Sequence, residues 1–262
     1  MTAQLTAAQR RWALESAIPA LTTIGERKAQ RLFYCLFPDE DSPAPPAMHG
    51  YFPTGVIHAR EKYQRHLEFF EAGEKYRERC FMAANRVGKT FSAGGYEMAC
   101  HLTGEYPDWW PGRRFNRPIR AWAAGKWNET TRDIVQATLL GQIAFRSGRK
   151  AMDGTGVIPG HAIGAITWKQ GITDLVDTVR VRHVSGGWST LGLKSYQQGR
   201  GSFEGTSQHV IWLDEECPLD VYGECLIRTA TTNGLVMLTF TPLEGMSETV
   251  LQFLPDDMRP GI

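Results

Sequence analysis

The stretch Phe81-Met82-Ala83-Ala84-Asn85-Arg86-Val87-Gly88-Lys89-Thr90 constrains the fold more than any other part of the chain. An apolar run from Cys80 to Ala84 leads into it like a buried strand, and Phe91 to Leu102 follows with helical character. Strand, turn and helix in that order aim backbone N–H groups at one point, and the helix dipole favours negative charge there. Gly88 lets the backbone approach an anion closely, Lys89 can reach β/γ-phosphates, and the Thr90 hydroxyl can ligate Mg²⁺. Ala84, Asn85, Arg86 and Val87 complete the loop. Ala83 stands where the pattern G-x-x-x-x-G-K-[ST] has its first glycine, so the stretch by itself also admits a chance Gly-Lys-Thr after an apolar run.

Composition fits a soluble globular chain with room for one large or two modest domains: 262 residues, 42% hydrophobic and 22% charged. The formal net charge is +1. Such a balance advertises no polyanion, so a nucleic-acid partner must be met by a local patch. The five cysteines (Cys35, Cys80, Cys100, Cys217, Cys225) show no C-x-x-C spacing and suggest neither a disulfide framework nor a zinc site. No apolar run approaches the length of a bilayer span, and the N-terminus has no signal-peptide core. A reducing, cytoplasmic setting is expected.

Residues 5–34 favour helix, interrupted near Pro19, with Arg27, Lys28 and Arg31 forming either a solvated basic face or a partner-facing arm. Pro38, Pro43, Pro45, Pro46 and Pro53 mark residues 38–56 as a linker. His58 to Ala72 reads as a helix with Gly73 as its C-cap. Gly94-Gly95, inside the helix after the loop, suggests close helix–sheet packing or simple drift. Trp109-Trp110 with Arg113-Arg114 either clamps a nucleic-acid strand or covers an edge of the core. Ile119 to Gly125 is a second core strand, followed by a helix over 130–140 with Asn128 as N-cap. Short strands fill 163–196, with a hairpin turn at Ser185-Gly186-Gly187.

His209-Val210-Ile211-Trp212-Leu213-Asp214-Glu215-Glu216 is a continuous apolar run ending in carboxylates, the pattern of a strand buried on both faces. In α/β nucleotide hydrolases a strand beside the phosphate-loop strand ends in an acid that holds Mg²⁺, here Asp214. Glu215, next along, is placed to polarise an attacking water as a general base. Leu235 to Thr241 is the next buried run, and its Thr239-Phe240-Thr241 either senses the γ-phosphate or reflects the liking of Thr for strands. Gln64, upstream, offers a donor and an acceptor suited to an adenine edge, or is a solvated helix residue.

At this point a family resemblance enters. Lys194-Ser195-Tyr196-Gln197-Gln198-Gly199-Arg200-Gly201-Ser202-Phe203-Glu204-Gly205-Thr206, leading into Val210 to Glu216, resembles the large terminase subunit of tailed bacteriophages. So do Tyr63 to Gly73, the Ala-Ala-Asn-Arg-Val-Gly-Lys-Thr loop, and Thr239-Phe240-Thr241-Pro242. The likeness covers about residues 50–250. It implies an ATPase motor that packages double-stranded DNA into a procapsid, with Mg²⁺, a portal protein and a small terminase subunit as partners, in the host cell cytoplasm. The chain is then monomeric alone and a homo-oligomeric ring on the procapsid. By the same resemblance Lys89 and Thr90 are Walker A residues and Asp214 the Walker B metal acid. Glu215 is the catalytic base, Thr239 to Thr241 the coupling motif, and Gln64 part of the adenine-binding motif. Arg86 is the arginine within the loop. Arg200, between Gly199 and Gly201, is the candidate finger acting on a neighbour's nucleotide, or else forms a local salt bridge.

The expected fold is therefore α/β of the P-loop NTPase (RecA-like) class, a mostly parallel central sheet flanked by helices. A helical N-terminal arm and Pro-rich linker (1–50) precede the ATPase domain (51–262). The family's C-terminal nuclease domain has no room here, and no nuclease activity is expected. Two rivals are a RecA-type helicase or translocase core, which needs a second motor domain, and a nucleotide-gated assembly module without turnover, against which the intact Glu215 argues.

Overall fold

The computed structural model describes residues 32–40, 59–243 and 245–254. The expected helices over 5–31, the basic face at Arg27 to Arg31 and most of the Pro-rich linker lie outside the described residues. The chain separates into two compact units, Met1–Lys62 and Tyr63–Ile262. Of the first, a short helix α1 (Leu32–Cys35) is described. Everything below concerns the second.

Its centre is a seven-stranded sheet. The strands are β1 (Glu78–Met82), β2 (Arg120–Gly125), β5 (Ile163–Trp168), β6 (Val176–Arg182), β7 (Trp188–Ser195), β8 (Val210–Asp214) and β9 (Leu235–Phe240). They lie in the order β1-β9-β8-β2-β7-β6-β5. The run β1-β9-β8-β2-β7 is parallel, and β6 and β5 continue it antiparallel. The mostly parallel α/β architecture read from the sequence is thus present. β8 and β9 are buried at every residue, as strands covered on both faces must be.

One expectation about the sheet is corrected. The acid-ending strand β8 is not beside β1, because β9 lies between them and pairs with both. A strand's sheet neighbours are set by contacts far apart in sequence, which the local pattern does not carry.

Helices cover both faces: α2 (Gln64–Lys75), a widely wound turn Lys89–Gly95 continuing into α3 (Tyr96–Thr103), and a similar stretch from α4 (Asn128–Thr130) through Thr131–Gln136 into α5 (Ala137–Leu140). These are followed by α6 (Leu219–Ala230) and α7 (Glu248–Gln252). Asn128 is the first helical residue rather than the cap, and its Oδ1 accepts from Ser195 Oγ at 2.7 Å instead. Gly73 does not end α2, which runs on to Lys75. A Cβ on Gly73 would sit 2.8 Å from Cζ of Arg79, so the residue is small to admit a guanidinium. Arg79 is 4% exposed and bonds Glu97 (2.7 Å) and the Phe69 carbonyl (2.6 Å). Burial alone would raise the Glu97 pKa, but the Arg79 charge and the His101 hydrogen bond hold it low. This buried pair ties α2, β1 and α3 together.

Trp109 and Trp110 do not clamp a strand. Trp110 is buried against Phe70, and Trp109 stacks on Tyr96. Arg113 and Arg114 bond backbone carbonyls and lie over Phe115 and Tyr106. The loop closes the core edge.

A small element had no counterpart in the sequence reading: a two-stranded antiparallel hairpin, β3 (Ile143–Arg146) and β4 (Arg149–Met152), standing apart from the main sheet.

Candidate functional site

The site lies where β1, β9 and β8 end, at the carboxyl edge of the parallel strands, which is where ligands bind in such sheets. The loop after β1 turns through two left-handed residues, Arg86 (φ 64°) and Gly88 (φ 83°). Ala83, at the slot of the missing first glycine, has no positive φ. Its N–H donates to the Phe240 carbonyl at 3.2 Å, so an alanine fits there without strain. Glycine freedom is needed only at Gly88, whose carbonyl accepts from both Ser92 N (2.7 Å) and Ala93 N (3.1 Å) and starts the wide turn of Lys89–Gly95.

Lys89 is 7% exposed. Its Nζ donates to the Ala84 carbonyl at 2.9 Å and to Thr241 Oγ1 at 2.7 Å. Among the described residues no carboxylate lies within ion-pair reach of it. A desolvated ammonium held by neutral acceptors alone is incomplete, and a bound anion would complete it. Thr241 Oγ1 also lies 2.8 Å from both the Ala83 carbonyl and Asn85 Oδ1, one of which takes its proton.

Asp214, the last residue of β8, is 2% exposed. Thr90 Oγ1 donates to its carboxyl oxygens at 3.0 and 3.2 Å, and Thr239 Oγ1 donates at 2.7 Å. Burial pushes its pKa up to about 7; the two hydroxyls oppose the rise, and neighbouring Glu215 adds to it. Glu215 follows in the left-handed region (φ 66°), with its N–H on the Thr239 carbonyl at 3.0 Å. For a glutamate that backbone is costly and is held by its surroundings. Tyr196 supplies part of the hold, donating its hydroxyl to the Asp214 carbonyl at 2.8 Å, with the Glu215 carbonyl at 3.2 Å.

Thr239 lies in β9, and Thr241 is the first residue past its end. One touches the acid and the other the lysine. The inserted strand β9 and the residue that follows it therefore bring a hydroxyl to each of the two motifs. Behind Thr239, Trp212 Nε1 donates to its Oγ1 at 2.7 Å. An indole N–H can only donate, so the Thr239 proton is directed to Asp214. Room for the indole comes from Gly94, where a Cβ would lie 2.2 Å from the Trp212 ring. Close packing, rather than drift, explains that glycine.

The sequence reading missed Trp212, Tyr196 and His66 as members of the site. His66 sits under the loop with its ring 4.8 Å from Phe81, and burial lowers its pKa against hydrogen bonds to the Gly88 and Val87 backbone. Gln64, two residues earlier, is exposed at the start of α2 and makes no hydrogen bond among the described residues. Ala84, Asn85, Arg86 and Val87 form the exposed crest of the loop, and Phe240 is fully buried in β9. Arg200 is not at the loop. Its guanidinium bonds Glu224 at 3.0 Å; Glu224 is 3% exposed and also lies 3.0 Å from Arg228. The described cysteines are all free, and no described helix is long and apolar enough to cross a membrane.

Residues 80–261 match the family model for the N-terminal part of the T4likevirus-type terminase large subunit. The terminase large subunit of Salmonella phage P22 is 39% identical over 228 residues, which is 80% of this chain and 44% of that protein. The chain thus spans less than half the length of that relative. Among solved structures, the large terminase of a thermophilic bacteriophage in complex with ADP is similar at 12% identity and a TM-score of 0.44, over 68% of this chain and 37% of that one.

Proposed function

The chain belongs to the terminase large-subunit family, and on that premise we propose that its second unit is an ATP-hydrolysing motor domain for packaging double-stranded DNA. The observation that carries the proposal is the pair of contacts made at the C-terminal end of β9 and just past it. Thr241 holds Lys89, Thr239 holds Asp214, and Thr90 spans from the loop to the same acid.

In this reading ATP binds with its phosphates against the N-terminus of the Lys89–Gly95 turn. Lys89 exchanges a neutral acceptor for a phosphate oxygen, and Arg86 on the exposed crest adds a second positive charge. Glu215 orients the attacking water and takes its proton, a role worth about 10²–10⁴ in rate. Thr90 and Asp214 would hold Mg²⁺, for a hydroxyl and a buried carboxylate make a hard oxygen donor set. When bound, that ion neutralises charge on the β- and γ-oxygens. Thr241 gives up its bond to Lys89 as the phosphates arrive, and β9 carries that change toward Asp214. Gln64 is the adenine contact in this reading, reached from the start of α2.

Arg200 is the proposed finger for a neighbouring subunit. It is half exposed, and when it swings away Arg228 still answers the buried Glu224. The proposed partners are duplex DNA, a portal protein and a small terminase subunit, with ring assembly on the procapsid in the host cytoplasm.

The test is a pair of substitutions. Lys89→Ala is expected to abolish ATP binding by calorimetry. Glu215→Gln is expected to bind normally and release phosphate at least about a hundredfold more slowly. Undiminished affinity in the first, or normal turnover in the second, overturns the reading.

A further inference from the structure

The β3–β4 hairpin is built to be exposed. Ser147 (φ 49°) and Gly148 (φ 73°) are consecutive left-handed residues, the two-residue turn that suits the twist of a hairpin. Its base is fixed. Asp153 Oδ1 accepts from Gln142 N, Thr155 N and Thr155 Oγ1. Met152 is 3% exposed. From Phe145 to Lys150, by contrast, every residue is exposed, and Phe145 is 73% so. A Cβ on Gly148 would meet nothing within 4 Å.

The register makes the charge arrangement specific. Arg146 pairs directly with Arg149, and the next pair inward on the same face is Ala144 with Ala151. Directly opposed residues share a face of the ladder, so two guanidinium groups stand side by side above two methyl groups. Like charges in that position weaken a hairpin. Between Gln142 and Met152 there are three cations and no acid. Lys150, on the other face with Phe145, is answered by Asp174 at 2.6 Å. The Arg146 side chain bonds only the Asp153 carbonyl, at 3.0 Å, and the Arg149 side chain makes no hydrogen bond or ion pair among the described residues. A rigid base, a bare tip and an uncompensated arginine pair are a poor arrangement for stability and a good one for gripping an anion.

We propose that Arg146 and Arg149 form a clamp for the phosphate backbone of duplex DNA, with Phe145 on the other face of the same tip riding against the sugar edge. The proposal rests on the packaging-motor reading for its partner and deepens it by naming the surface. In a chain with net charge near zero, DNA must be met by a local patch, and this is one. Phosphate contacts of this kind position the duplex and carry no sequence information.

The test uses the whole chain and a fluorescent duplex, without nucleotide, titrated by anisotropy over a range of potassium chloride. Each lost phosphate contact reduces the salt slope by about 0.9. Arg146→Ala/Arg149→Ala is therefore expected to lose about 1.8 of slope and at least about tenfold in affinity at low salt. Arg146→Lys/Arg149→Lys should recover most of the slope, and DNA-free ATP turnover should not change in either. Arg65→Ala, an exposed arginine on α2 paired to Glu68, should leave the slope as it is.

An unchanged slope in the double alanine variant, an equal loss in Arg65→Ala, or no duplex binding by the wild-type chain overturns the clamp. Loss of binding to poly-glutamate with duplex binding intact reassigns the hairpin to an acidic protein and overturns it too. Duplex binding is read without ATP, so a chain that fails the Lys89 and Glu215 tests yet loses its slope as expected removes the ATPase reading and keeps the clamp.

Discussion

The carboxyl edge of the sheet and the β3–β4 hairpin treat charge in opposite ways. At the edge, Asp214 is fully enclosed and met by two hydroxyls, while Lys89 is enclosed and met by a carbonyl and a hydroxyl. The negative group is met by neutral donors and the positive group by neutral acceptors, each in a fixed place. At the hairpin two arginines face each other in water with nothing between them. The difference shows what each region spends on order. The edge is organised in advance, so a ligand finds its partners already aimed, and any change there disturbs packing. The hairpin tip is organised by its turn, with Lys150 paired to Asp174 and Arg146 to a carbonyl, so the Arg149 side chain is free to change at little cost to the fold.

The sharpest way to break that contrast is to titrate the edge. The folded Asp214 pKa, about 7, lies above the ordinary value of 3.8. The folded chain therefore holds a proton that the unfolded chain has released, and the associated stability is full below about pH 4 and lost as pH rises to about 7. Asp214→Asn cannot titrate. In nucleotide-free protein with chelator present, the wild type should lose stability relative to this variant by about 1.4 kcal/mol per pH unit between pH 5 and 6.5. The total approaches about 4 kcal/mol, and the gap should be level above about pH 7. Chemical denaturation of both proteins across that range measures it. Parallel pH profiles mean that the acid is not enclosed as described.

A second, smaller effect is expected at Gly94. An added methyl group would lie 2.2 Å from the Trp212 ring, which is fully buried and fixed by its bond to Thr239. Overpacking costs about 1–3 kcal/mol and the lost hydrogen bond about 1, offset by about 1 from better helix propensity. Gly94→Ala should therefore cost about 2 kcal/mol, and the loss should shrink when combined with Trp212→Phe, which removes the crowded ring. Additive losses in the double variant would show that Gly94 and Trp212 do not meet.

These two residues also show how far the sequence could be read. The Gly-Lys-Thr loop, the acid-ending strand and the strand that carries Thr239 were legible because each leaves a local mark: an apolar run, a glycine before Lys-Thr, carboxylates at a strand end. Gly94 beside Trp212 was not, since which small residue faces which large one depends on two elements distant in the chain. The insertion of β9 between β1 and β8 was hidden for the same reason, and with it the fact that Thr239 and Thr241 reach different motifs. Gln64 has the amide that suits an adenine edge, yet the buried contact to the loop comes from His66, because a helix presents residues two apart on different faces. The hairpin escaped because its strands are four residues each, too short for alternation to register, and its Ser-Gly turn is a weak signal without flanking apolar runs.

The smallest effect is the most discriminating for the hairpin. Arg149 is exposed, opposes Arg146, and holds no other side chain among the described residues. Arg149→Ala should leave the melting temperature unchanged or raise it slightly, since it removes a like-charge pair at the cost of no contact. Arg149→Glu should go further, by about 0.2–1 kcal/mol, because it sets opposite charges across the same rung, and salt should erode that gain. Both variants remove positive charge from the tip, so both should weaken duplex binding while stability holds or improves. Stability and binding then move in opposite directions at one position, which a structural arginine would not do. A loss of more than about 1 kcal/mol in Arg149→Ala would instead place this residue with the edge, where the charged side chains Lys89 and Asp214 are packed and held by fixed hydrogen bonds.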